Sequence, residues 1–318
     1  MNGPVRACII IPCLNEQGVI TGTCDVLLGE LKRMSAEGLV TENSYVCVVD
    51  DGSTDGTWAE ITGLCERDPH VRGIKLSANF GHQNALIAGL FTQRTQADVL
   101  ITIDADLQDD AGTISEMVRK HREGSLVVYG VRSSREVDIL PKRVAAWVYY
   151  QVLRWMNERS IFNHADFRLA DSRVVAELEK FGEANLYLRG LFPIIGYPSA
   201  QVFYERKERT AGDSKYPYRK LISLAWQGIT SITTTPLKMV FYTGLLMSLL
   251  ALAIAAWSVW AVIAGRTLQG WFSTTLIILF FSSVNMISLG VIGEYVGKIY
   301  KEVKARPRYI IERVTNAS

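Results

Sequence analysis

Two stretches of this 318-residue chain carry no charge: Met239–Gly265 and Thr267–Gly293, each 27 residues long. A helix needs about 20 apolar residues to cross the hydrocarbon core of a bilayer, so either run is long enough. Helices in a soluble core keep a polar stripe, which argues against that reading. Their position late in the chain argues against a signal peptide. Flanking charge sets the direction. Arg219, Lys220 and Lys238 precede the first run, and Lys298, Lys301, Lys304, Arg306 and Arg308 follow the second. Only Arg266 sits between the runs. The positive-inside rule then puts both ends in the cytoplasm, with a short outer turn near Trp257, Trp260 and Trp271.

The first half of the chain has a different rhythm. Apolar runs at Ala7–Ile11, Tyr45–Val49, Gly73–Leu76, Val99–Ile103 and Leu126–Tyr129 read as strands. Helix-compatible stretches lie between them at Gly18–Ser35, Thr57–Arg67, Gly81–Gln93 and Thr113–Arg122. This alternation predicts an α/β domain with a mostly parallel sheet covered on both faces. Past Tyr129 the pattern loosens. Val137–Asn157 reads as an aromatic helix, His164–Leu169 stays unassigned, Ser172–Phe181 looks helical and Val202–Tyr204 reads as a late strand. Tyr218–Thr235 has the spacing of an amphipathic helix lying in the membrane interface. The net charge of +2 gives no footprint for nucleic acid. All five cysteines fall within the first 65 residues without CxxC spacing, as in a reduced cytosolic domain.

Open α/β sheets bind ligands beyond the carboxyl ends of their strands. Pro12-Cys13-Leu14-Asn15-Glu16 follows the first strand, Asp50-Asp51-Gly52-Ser53-Thr54-Asp55 the second, and Asp104-Ala105-Asp106-Leu107-Gln108 the fourth. A single acidic turn is explained by a helix cap, with Asp55 or Thr54 as N-cap. Three polar clusters on one sheet edge point to a site. In an extended segment Asp104 and Asp106 point the same way. With the Gln108 amide they form an oxygen-only ligand set suited to Mg²⁺ or Mn²⁺ that also holds a diphosphate.

IPCLNE, VVDDGSTDGT, NFGHQNAL, DADLQD, GVRSSR, DFRL and the stretch from Arg206 to Tyr216 together resemble the family-2 glycosyltransferases that load a sugar onto a polyprenyl phosphate. Within that family the bactoprenol glucosyltransferases are the nearer group and dolichyl-phosphate mannose synthase is more distant. The likeness spans essentially the whole chain. It implies a GT-A (Rossmann-like) cytoplasmic domain followed by a two-helix transmembrane hairpin. It also implies a nucleotide-sugar donor, UDP-glucose being the expected one, and inverting transfer of one hexose to undecaprenyl phosphate. The implied setting is the cytoplasmic face of a bacterial inner membrane, in a homotetramer serving surface-glycan modification such as that of O-antigen. By the same resemblance Pro12, Leu14, Glu16 and Asp51 contact the nucleoside. Asp104, Asp106 and Gln108 handle the metal, Arg132 lies near the phosphates and Asp166 near the acceptor. Asp106 and Asp166 are the expected catalytic pair. Two departures are local. Asp110-Ala111-Gly112 replaces a proline-bearing turn, and Ala165 precedes Asp166 where glycine is common.

The physics of the implied reaction is consistent with these residues. A bound divalent ion neutralises a diphosphate leaving group. A phosphate monoester, with its second pKa near ~6, is largely dianionic at neutral pH and needs little help from a base. Asp166 is then expected to orient the acceptor or stabilise developing positive charge as much as to take a proton. Arg132, Arg135, Lys142, Arg143, Arg206, Lys207, Arg209 and Lys215 are candidates for the lipid phosphate, against the plainer reading of a solvated or lipid-facing surface. The expected division is a GT-A domain over residues 1–210, an amphipathic juxtamembrane segment over 211–238, two spans over 239–296 and a basic cytoplasmic tail over 297–318.

Three other functions compete. Gln151-Val152-Leu153-Arg154-Trp155 matches the QxxRW signature of processive polysaccharide synthases. It precedes Asp166 instead of following it, however, and two spans make a poor polymer channel. A nucleotidyltransferase would carry a glycine-rich phosphate loop near its first strand. An inactive scaffold would not need Asp104, Asp106 and Asp166 together.

Overall fold

β1 (Ala7–Cys13) is buried at every position, because both faces of the sheet it centres are covered. In the computed structural model, the described residues are 3–133, 164–183, 188–205, 235–265 and 271–315. The chain divides into two units, one of Met1–Pro217 with Pro307–Ser318 and the other of Tyr218–Arg306.

The first unit is an α/β domain on an eight-stranded sheet. β1 pairs in parallel with β2 (Tyr45–Asp50) and β4 (Val99–Thr102), and β2 pairs in parallel with β3 (Val71–Leu76). α1 (Ile20–Ala36), α2 (Thr57–Arg67) and α3 (His82–Gln93) are the crossovers. Strand alternation sorts the core. Ile9, Ile11, Val46 and Val48 pack with Leu27, Ile61 and Ile114 on one face. Cys8, Ile10, Cys47 and Val49 pack with Leu86, Leu90 and Val174 on the other. Gly89 lets α3 lie close on β1, because a Cβ there would stand 2.5 Å from the Ile10 side chain.

The sequence expectations for β1–β4, for β5 (Val127–Arg132) and for the helices through α4 (Thr113–Arg122) hold to within a few residues. Two strands depart from them. The unassigned His164–Leu169 forms most of β6 (His164–Asp171), antiparallel to both β4 and β5. It escapes an apolar pattern because Asp166 and Arg168 sit buried inside it. β7 (Ser199–Tyr204) then joins β5 in parallel. The stretch expected to be a basic tail instead contains β8 (Ile311–Thr315), antiparallel to β3. The full order is β7-β5-β6-β4-β1-β2-β3-β8. The direction of building reverses between β1 and β4, and that crevice is where such sheets place ligands.

β6 runs into α5 (Ser172–Glu179) through Asp171, whose carboxylate accepts the Arg173 N–H at 2.9 Å. The same carboxylate meets His121 Nε2 at 2.9 Å and the Arg173 guanidinium at 2.9 Å. Burial pushes the Asp171 carboxyl up, but the bonds from His121 and Arg173 outweigh it and hold it well below the usual range. A depressed carboxyl stabilises the fold fully above its unfolded pKa of about 3.9, and that contribution drains as pH falls through the folded value. Asp171→Asn should therefore cost roughly 2–4 kcal/mol at neutral pH. In denaturant titrations the gap to the unaltered chain should close as pH drops below about 4. A gap that persists undiminished in acid would contradict this account.

The second unit holds α7 (Thr235–Ile263) and α8 (Trp271–Lys304), of 29 and 34 residues. Among the described residues one stretch, Pro236–Ile254, is long and apolar enough to cross a bilayer, with a mean hydropathy of 1.9. The expected helix over Val137–Asn157, the QxxRW motif and most of the amphipathic segment from Tyr218 lie outside the described residues. So do Arg135, Lys142, Arg143, Arg206, Lys207, Arg209 and Lys215.

Candidate active site

The three polar strand ends do meet. The Asp51 N–H donates to Cys13 O at 2.9 Å, and the Ile103 N–H donates to Ile10 O at 3.1 Å. Pro12 is buried at the end of β1, and Leu14, at 38% exposed, faces outward from the next turn. Asn15 takes a left-handed backbone, φ 54°, which its short polar side chain tolerates. Its N–H donates to Ser53 Oγ and its Oδ1 accepts the Thr54 N–H, both at 2.9 Å. The Glu16 N–H donates to Thr57 Oγ1 at 2.9 Å. Asp55 accepts the Thr57 N–H at 3.0 Å, but the N-cap of α2 is Gly56, so neither Asp55 nor Thr54 takes the capping position expected for it.

Asp51, placed near the nucleoside by resemblance, clamps the approach to α3. Its Oδ1 accepts the Phe80 N–H at 2.8 Å and its Oδ2 the Gly81 N–H at 2.9 Å. Burial raises its pKa and these two donors oppose the rise. Gly52, at φ +74°, lets this loop close up, because a Cβ there would stand 2.4 Å from the Ala78 backbone. The clamp positions His82 and Gln83 at the start of α3.

β4 stops at Thr102, so Asp104 and Asp106 do not lie in an extended strand as expected. They sit in a turn, with the Leu107 N–H donating to Asp104 O at 3.4 Å and Leu107 at φ 47°. The Thr23 hydroxyl on α1 ties the turn down through Ala105 O at 2.7 Å. Gln108 meets Asp106 through its backbone N–H, 3.2 Å from Oδ1. Desolvation pushes the Asp104 carboxyl up to about 6; Asp166, Asp109 and Asp106 add to the rise, and His82 opposes it. Among the described residues no group of three His, Cys, Asp or Glu side chains is arranged to hold a metal unaided. The two carboxylates fit a hard cation that takes its remaining ligands from water and a diphosphate, as Mg²⁺ commonly does.

Asp166 lies in β6 beside this turn, 7% exposed. Its Oδ1 accepts from Arg168 Nη2 at 2.6 Å and Arg189 Nε at 3.1 Å. Its Oδ2 accepts from Arg189 Nη2 at 3.0 Å and Gln83 Nε2 at 3.3 Å. His82 Nε2 stands 3.6 Å from both Asp166 Oδ2 and Asp104 Oδ1, so it spans the two acids. Burial alone would raise the Asp166 pKa, but Arg189, His82 and Arg168 hold it well below the usual carboxylate range. The His82 imidazole is shifted the other way: burial lowers its pKa, but Asp166 and Asp104 together raise it.

Arg132, expected near the phosphates, is held by an acid and a phenol. Its Nη2 donates to Asp109 Oδ1 at 3.1 Å and its Nε to Tyr204 Oη at 3.3 Å, while the Tyr204 hydroxyl donates to Asp109 Oδ1 at 2.6 Å. His82, Gln83, Arg168, Arg189 and Tyr204 join the site without having been candidates from sequence, although His82 and Gln83 lie in NFGHQNAL and Arg168 in DFRL, while Asp109 ends DADLQD. Arg189, on α6 (Leu188–Ile195), had no local signal.

Residues 8–178 match the description "Glycosyl transferase family 2", and residues 235–299 match "GtrB C-terminal hairpin". The chain belongs to glycosyltransferase family 2 and is a glycosyltransferase of the GT-A class. It is 42% identical over 304 residues to the glycosyltransferase YkoT of Bacillus subtilis, covering 96% of this chain and 90% of that one. It is 35% identical over 314 residues to a prophage bactoprenol glucosyl transferase homolog of Escherichia coli, covering 98% and 99%. It is 34% identical over 312 residues to the bactoprenol glucosyl transferase of Shigella phage SfX, covering 97% and 99%. Among solved structures, a mannosyltransferase of Pyrobaculum calidifontis overlays loosely, with a TM-score of 0.46 and 17% identity over 91% of this chain and 88% of that one.

Proposed function

We propose that this enzyme transfers one hexose, glucose, from UDP-glucose to a polyprenyl phosphate of the undecaprenyl type at the cytoplasmic membrane face. The observation that carries this reading is the state of Asp166. Two guanidinium groups hold its carboxylate, so it is a poor proton acceptor. His82, between two carboxylates, is biased towards its cation. An acceptor that arrives already anionic suits such a site, and a sugar hydroxyl that must lose a proton does not. The bactoprenol in the relatives' names, and the hairpin match of this chain, support the same choice.

In the proposed reaction an acceptor phosphate oxygen attacks the anomeric carbon from the face opposite the diphosphate. The new C–O bond forms as the bond to the diphosphate breaks, UDP departs with the electron pair, and the anomeric configuration inverts. Pro12, Leu14, Glu16 and the Asp51 loop shape the nucleoside end. Asp104 and Asp106, with Gln108 beside them, would hold Mg²⁺ or Mn²⁺. That ion, when bound, neutralises charge building on the leaving diphosphate. The product would feed a surface-glycan modification, and the unit would work as a homotetramer.

The test is labelled UDP-glucose with polyprenyl phosphate and Mg²⁺ or Mn²⁺, alongside a panel of other nucleotide sugars. Organic extraction and mass analysis should reveal a lipid carrying one hexose through one phosphate, with UDP released. A ladder of longer glycans would mean processive synthesis. A lipid diphosphate sugar with nucleoside monophosphate would mean sugar-phosphate transfer.

Orientation in the membrane is part of the proposal. The chain leaves the catalytic sheet before α7 and returns to it as β8 after α8. Both ends of the hairpin are thus tied to one domain and belong on one side. A reporter fused after Ser318 should read cytoplasmic, and one inserted at Gln269 should read external. The reverse pattern, or two reporters on one side, would overturn this arrangement.

A further inference from the structure

Asp166 attracts more positive charge than it needs. Arg168 alone meets its charge: the pair is 2.6 Å apart, and the arginine side chain is 2% exposed under the Phe192 ring. Arg189 approaches the same carboxylate differently. It comes from the first turn of α6, its side chain is 36% exposed, and it lays its Nε–Nη2 edge along both carboxylate oxygens. That edge fixes the plane of the guanidinium, and the side chain stays about a third exposed. A planar fork held this way is suited to phosphate, and a lysine would not match it.

The location adds a second argument. Through His82, Asp166 is one side chain away from Asp104 and the donor end of the site. An acceptor dianion entering beside Asp104, Asp106 and Asp166 meets three carboxylates and needs a cation on its own side.

Resting on the function proposed above, we infer that Arg189 receives the phosphate monoester of the acceptor, and that Asp166 acts as the positioning carboxylate that aims it. Arg168 neutralises Asp166 from beneath, so Arg189 can share its charge with an incoming phosphate without stranding the acid.

The test is steady-state kinetics on the full chain in detergent, with polyprenyl phosphate and UDP-glucose varied separately, for the unaltered chain, Arg189→Gln and Arg189→Lys. Arg189→Gln should raise the KM for polyprenyl phosphate about 10- to 100-fold, the usual effect of losing a charged hydrogen bond, while the KM for UDP-glucose holds. Arg189→Lys should fall between, having a charge but no fork. Inorganic phosphate should compete with the lipid in the unaltered chain and compete less in Arg189→Gln. A fall in kcat with acceptor KM unchanged would overturn the inference, because Arg189 would then only be holding Asp166. Equal rises in both KM values, or phosphate inhibition identical in the two chains, would also overturn it. If Arg189→Gln fails to fold, Arg189→Lys decides by the same split. An unaltered chain that glucosylates no lipid phosphate would sink the parent reading and this inference together. An active unaltered chain with a normal Arg189→Gln would sink this inference alone.

Discussion

Asp106→Asn should reduce sugar transfer by on the order of 10²–10³-fold and leave the fold intact. The substitution keeps the side chain's shape and an oxygen that can accept the Gln108 N–H, so the turn after β4 has no reason to collapse. What it removes is one of the two charges available to a hard cation. A diphosphate leaving group then departs with its charge less well neutralised. Thermal unfolding should match the unaltered chain, while metal-dependent binding of the nucleotide sugar weakens. Excess EDTA should reproduce the loss in the unaltered chain, and added Mn²⁺ or Mg²⁺ should reverse it. Full activity of Asp106→Asn, or undiminished turnover in EDTA, would remove the metal from the mechanism.

The parts of this fold that are legible in sequence are those in which one physical rule acts alone. β1, β2 and β4 are covered on both faces, so each appears as an apolar run, and their edge is readable as a site because all three runs end in polar clusters. β6 obeys two rules at once. It is a central strand, but it must also place Asp166 and Arg168 in the site, and those charges erase its pattern. β8 is a short edge strand of alternating Ile, Glu, Arg, Val and Thr behind a basic stretch, and by composition it looks like a tail. The two carboxylates of the DxD segment were legible as a pair, but their backbone was not. An extended strand and a turn with a left-handed Leu107 can both present them. Partnerships across long separations were least legible. Arg132 with Asp109, and Arg189 with Asp166, join positions 23 residues apart that only the sheet and α6 bring together. Resemblance and charge type suggested phosphate for Arg132, but its pairing with the buried Asp109 had no local signal.

Asp166→Asn should impair both stability and activity, for separable reasons. Arg168, 1% exposed, would lose the charge that justifies its burial, and removing one partner of a buried pair commonly costs about 3–5 kcal/mol. Chemical denaturation in detergent should reveal that loss with no substrate present. Activity should fall further than stability alone explains, because the carboxylate that orients Arg189 and meets His82 is gone. The pH dependence tests whether Asp166 is a base. Burial raises its pKa, yet Arg189, His82 and Arg168 hold it well below the ordinary range. A carboxyl depressed in this way contributes its stability above the unfolded pKa of about 3.9 and loses it as pH falls through the lower folded value. Between about pH 5 and 8 it stays ionised and should add no limb to the rate profile. The acceptor phosphate, with a second pKa near ~6, should supply the acidic limb instead. Without a metal Asp104 is pushed up to about 6 as well, so the limb's position alone does not assign it. Changing the acceptor does. With a polyprenyl phosphonate, whose second pKa is higher, the limb should move up with the acceptor. A limb that stays fixed when the acceptor changes would belong to the protein. Full activity and normal stability in Asp166→Asn would mean that the two arginines are not organised around this acid.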